Sequence, residues 1–91
     1  MSDFDLRQCW LDHVLSSMMA NGMHGITSKQ AWKKLATKAR SKVLNNERFW
    51  LTVFAGRSNK VSKWPYQLQV HSGLEYDRVK EEIKAMLMQY A

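Results

Sequence analysis

A chain of 91 residues with 45% apolar side chains, four Trp, six Met and one Pro suits one compact domain, residues 1–91, and excludes a wholly disordered chain. With Cys9 as the sole cysteine there is no internal disulfide. No apolar run approaches the ~20 residues that a bilayer span needs, and the opening Met-Ser-Asp-Phe-Asp lacks the basic start of a secretory signal, so an intracellular, cytoplasmic protein with no membrane partner is expected.

The first predicted element is a helix from Asp3 to Ala20. Ser2 or Asp3 serves as N-cap, acids fill the first turn, and Asn21-Gly22 stands where a helix stops. Leu6, Trp10, Val14 and Ser17 or Met18 run down one side, and Leu11, Leu15 and Met19 widen the stripe. Residues Asn21 to Ile26 hold two glycines and form a tight connection.

Thr27-Ser-Lys-Gln30 has the form of a capping box, so a second helix is predicted from Thr27 to about Leu44. At 100° per residue, Trp32, Leu35, Ala39 and Val43 share its core face. Lys29, Lys33 and Arg40 flank that face on one side, and Lys34, Lys38 and Lys42 on the other.

After Asn45-Asn46, the segment Arg48 to Ala55 (RFWLTVFA) is rich in aromatic and β-branched residues and reads as a strand. A short helix capped by Asn45 or Asn46 is its competitor, because brief apolar runs do not separate the two states. Gly56 to Lys60 reads as a turn, and Lys63 to His71 alternates as a half-buried strand with Trp64, Tyr66, Leu68 and Val70 on one face. Pro65 places that strand at an edge or interrupts it there. Beyond Ser72-Gly73, Tyr76, Val79, Ile83, Leu87 and Tyr90, with Met86 alongside, mark an amphipathic C-terminal helix. The expected fold is therefore α+β in the order α-α-β-β-α, the last helix packing on one face of a β-hairpin. Pairing into a homodimer would protect the edges of a lone two-stranded sheet.

The net charge of +6 is concentrated. Residues 1–26 carry one base and three acids, 27–63 ten bases and one acid (a net +9), and 64–91 three bases and four acids. Clustered cations that neutralise phosphates release condensed counterions, so the expected partner is a nucleic acid, RNA or DNA, contacted mainly along its backbone. Lys33, Lys34, Lys38, Arg40 and Lys42 are the candidate contacts from the helix, and Arg57, Lys60 and Lys63 those from the loop. In the hairpin reading, Phe49, Leu51 and Val53 face the core, and Trp50 lies on the other face as a platform for an unpaired base. Burial of Trp50 and Phe54 under another element or a second copy of the chain is the competing reading, and the size of the two aromatic side chains favours it.

A duplex-binding arrangement, with the second helix in a major groove, has weaker support. Its stripe must pack inward, which leaves the lysines to meet phosphates more readily than base edges. The alternative from another class is an inhibitor or adaptor of the host–parasite type, docking its basic face on an acidic surface of an enzyme.

Enzyme chemistry finds little footing. Cys9 and His13 have an i,i+4 spacing that can present two metal ligands, but neither a second cysteine nor a paired-His motif joins them. A ribonuclease built on His71 or His24, Arg57 and Tyr66 or Tyr90 uses residue types common in basic proteins. No metal, cofactor or catalytic residue is assigned.

Overall fold

The computed structural model describes residues 2–21, 29–55, 64–70 and 73–90. The first helix, α1, spans Asp3–Ala20; the Ser2 hydroxyl accepts the Asp5 amide at 3.1 Å, and Asn21 closes the other end. Leu6, Trp10, Leu11, Val14, Leu15 and Met18 are buried, which is the expected stripe. Met19, at its margin, is exposed.

The second rod has three parts in series: α2 (Lys29–Lys34), a π-helical stretch (Leu35–Ala39) and α3 (Arg40–Leu44). Its expected capping residue, Thr27, lies outside the described residues. Leu35, Ala39 and Val43 are fully buried and Trp32 half-buried. These four-residue steps overshoot one turn of a 3.6-residue helix, and the wider π-helical turn brings the three side chains back onto one line. The Thr37 hydroxyl donates to the Lys33 carbonyl at 2.7 Å, a local bond that competes with the regular ladder.

The α+β expectation is overturned: among the described residues there is no strand, and most of them are helical. Arg48 to Ala55, expected as a strand, lies mostly in helix α4 (Glu47–Val53). Asn45 ends α3, and the Asn46 side chain accepts the Phe49 amide at 3.1 Å to start α4, so the competing short-helix reading is the one realised. The buried positions are Trp50 and Val53, a helical spacing, whereas Leu51, expected in the core, is 71% exposed.

The second expected strand fails with its partner. Of Lys63 to His71, the described residues 64–70 form turns around the short 3₁₀ helix Tyr66–Leu68. Trp64 and Leu68 are buried four residues apart, while Tyr66 and Val70 turn outward. Pro65 cannot donate a ladder bond, and among the described residues no strand stands beside it.

The last helix, α5 (Gly73–Met88), buries Val79, Ile83 and Leu87, as its sequence predicts. It packs chiefly against α1 rather than on a sheet. With the sheet gone, unprotected edges no longer argue for a homodimer.

One core joins all these elements. The Trp10 ring, fully buried, meets Trp64 edge-to-face at 4.9 Å and Tyr76 at 5.6 Å. Arg7 of α1 forms a bidentate pair with Glu47 of α4, at 2.6 and 2.9 Å. The same hydrogen bonds hold the Glu47 carboxyl below its ordinary range and raise Arg7. Arg78 of α5 donates to the Val53 carbonyl at 3.0 Å, placing a cation at the C-terminal end of α4.

Candidate nucleic-acid interface

The rod from Lys29 to Leu44 contains six basic residues and no acid. Burying Leu35, Ala39, Val43 and Leu44 against α1 and α5 turns the lysines outward: Lys29, Lys33, Lys34, Lys38 and Lys42 are all exposed. Among the described residues no carboxylate pairs with any of these five. At ~1.5 Å per residue, Lys29 to Lys42 extends about 20 Å, a length along which a polyanion presents many phosphates.

The two flanks differ. Arg40 reaches α1, where its Nε and Nη2 donate to Asp12 Oδ1 at 3.1 and 2.8 Å, so part of its charge is already met inside the molecule. Trp32, Ala36 and Arg40 also line one side of an open cleft against α1, with Leu15, Ser16 and Met19 opposite. On the other flank, Lys42 Nζ stands 5.2 Å from the centroid of the Tyr90 ring, a cation–π contact that leaves the charge exposed. The ridge is thus fastened at its α3 end, by Arg40 and Lys42.

Trp50 is corrected. It is 1% exposed, its indole N–H donates to the Val43 carbonyl at 2.7 Å, and its ring stacks on Phe54 at 5.6 Å beneath the Arg7 guanidinium. The Val43 carbonyl, at the end of α3, also accepts the Asn46 amide at 3.1 Å, so the indole takes its second acceptor position. A ring held in this way cannot receive a base, and the structure bears out burial under another element. Phe54 is half-buried beside it. The loop candidates Arg57, Lys60 and Lys63 lie outside the described residues, as do His24 and His71. The structure therefore brings together Lys33, Lys34, Lys38, Arg40 and Lys42, and separates Trp50 from them by burial.

Cys9 and His13 sit in different surroundings. His13 Nε2 hydrogen-bonds the Tyr76 hydroxyl, while burial, then Asp12 and Asp5, push the Cys9 thiol up, which keeps it protonated at neutral pH. Burial, then Asp77, likewise raises the Tyr76 hydroxyl. Among the described residues no group of three or more His, Cys, Asp or Glu is placed to hold a metal, and no helix is long and apolar enough to cross a membrane.

Two features escaped the sequence reading. The Asp12–Arg40 pair joins residues 28 apart, and no local pattern reports it. Trp32, expected on the core stripe, is only half-buried; its position among Lys29, Lys33 and Lys34 is the signal in the sequence. No protein-family model, curated protein or solved structure matches the chain.

Proposed function

We propose that this protein is a small, non-enzymatic nucleic-acid-binding accessory or regulatory protein that holds the phosphate backbone on the ridge formed by α2, the π-helical stretch and α3. The observation that supports this reading is five exposed lysines, Lys29, Lys33, Lys34, Lys38 and Lys42, on one acid-free rod. Their ammonium groups are flexible point charges, suited to phosphates and ill suited to bidentate reading of base edges. Arg40 anchors the ridge to α1 and contributes a smaller share of the field.

The test is equilibrium binding of single-stranded RNA, single-stranded DNA and duplex DNA across a salt series. The expected result is micromolar or tighter association whose logarithm falls linearly with the logarithm of salt concentration. Absence of binding to all three at about 50 mM salt overturns the proposal. Stoichiometric, salt-sensitive capture of one acidic protein, with no nucleic-acid binding, would replace it by the inhibitor or adaptor reading.

A further inference from the structure

The cleft between α1 and the π-helical stretch combines three properties. It is widely open to solvent, with a volume of about 360 Å³. Its walls are apolar and aromatic, from Leu15 and Met19 on α1 and from Trp32 and Ala36 on the rod, with the Asp12–Arg40 pair also in its lining. The rod beside it carries Lys29 and Lys33, both exposed and on the flank that sequence periodicity shares with Arg40.

We propose that this cleft receives one unpaired base of a single-stranded nucleic acid, stacked on the Trp32 indole, while Lys29 and Lys33 hold the neighbouring phosphates. The inference rests on the nucleic-acid reading above and adds the strand type and the base site. An aromatic side chain beside cations is the usual combination for sequence-tolerant capture of single strands. A paired base does not reach such a cleft unless it is first flipped from the stack. Ala36, with its one-carbon side chain, leaves space opposite α1 for a planar ring. Both Arg40 bonds go to Asp12 Oδ1, so Oδ2 remains to accept from a base N–H, such as the N3–H of thymine, and the Ser16 hydroxyl is a second polar group in the lining. The Arg40 guanidinium offsets the Asp12 charge that would otherwise repel a phosphate chain.

The experiment compares wild type, Trp32→Ala, Trp32→Phe and Ser16→Met for binding to a short oligothymidylate, an abasic strand of equal length and a matched duplex. Trp32→Ala is expected to weaken oligothymidylate binding about 5- to 150-fold, with duplex and abasic binding changed less than about twofold, a difference too small to reflect a lost stacking contact. Trp32→Phe keeps a stacking face and retains most of the affinity. Ser16→Met fills the cleft from an exposed position and weakens oligothymidylate binding without removing a core side chain, so it decides the matter if Trp32→Ala fails to fold. Equal affinity of wild type for the oligothymidylate and the abasic strand, or unchanged oligothymidylate binding in Ser16→Met, overturns the base site while leaving backbone binding intact. Failure of wild type to bind any of the three probes instead overturns the underlying nucleic-acid reading.

Discussion

Two faces of this protein handle charge in opposite ways. On α5, Arg78 bonds Glu82 at 3.0 Å and Glu75 at 3.3 Å, and Lys84 stands 3.9 Å from Glu81. Two of the three cations of α5 thus meet acids on their own helix, at the three- and four-residue spacings where helix side chains become neighbours, and the third, Lys80, stands 5.9 Å from the centroid of the Tyr76 ring. On the rod from Lys29 to Leu44 no such acid exists. Its internal electrostatic contacts go to other helices, through Arg40 to Asp12 and Lys42 to Tyr90. Charge on α5 is used largely within the molecule, whereas most of the charge on the rod faces solvent. That contrast gives the positive segment more meaning than its net charge alone.

The largest effect is expected outside both faces. Trp50→Ala should cost about 3–5 kcal/mol of folding stability, because it empties a fully buried site and removes the indole hydrogen bond to the Val43 carbonyl. Thermal unfolding measures it, and a melting temperature close to wild type would contradict its place in the core. The faces themselves are compared by neutralising lysines. Replacing Lys33, Lys34, Lys38 and Lys42 together by Gln should lower the slope of log affinity against log salt by about 3 to 4. Unfolding free energy should move by less than about 0.5 kcal/mol per site. The pair Lys80→Gln and Lys84→Gln on α5 should leave that slope unchanged; an equal drop there would erase the distinction between the faces.

A smaller change is expected on the self-paired face. Arg78→Met removes the contact with the Val53 carbonyl and two carboxylate pairs, and should cost about 1–2 kcal/mol in urea unfolding. The smallest effect concerns Glu47, whose carboxyl the Arg7 hydrogen bond holds below its ordinary range. A depressed carboxylate contributes stability above its unfolded pKa, about 4.3 for Glu, and loses it as pH falls through the lower folded value. Wild type should therefore exceed Glu47→Gln slightly in stability near neutrality, and the two should converge as pH drops below that range. A gap that stays constant with pH would show that the pair contributes nothing through ionisation.

Much of the helical framework was legible locally. The Ser2 cap, the stripe through Leu6, Trp10 and Val14, and the stop at Asn21 fix α1, since each signal lies within a few residues of what it controls. The same holds for Val79, Ile83 and Leu87 in α5 and for the Leu35–Ala39–Val43 line in the rod. The exposed lysines followed from that line, because a buried stripe dictates which residues remain outside. The segment from Arg48 to Ala55 was misread because its composition favours a pleated surface, and eight residues are too few for periodicity to decide. Its one local clue, the Asn46 cap, was present in the alternative reading.

The sequence by itself determined the helices with long stripes, the absence of acids from the rod and the concentration of positive charge, because these depend on residue order alone. Only the tertiary structure decided the state and orientation of α4. Trp50 turns inward where the Val43 carbonyl, the Phe54 ring and the Arg7 guanidinium converge on it, and those partners come from three separate helix segments or their ends. The half-buried position of Trp32 has the same origin: α1 crosses beside the π-helical stretch and leaves a cleft that no spacing of residues along the rod could reveal.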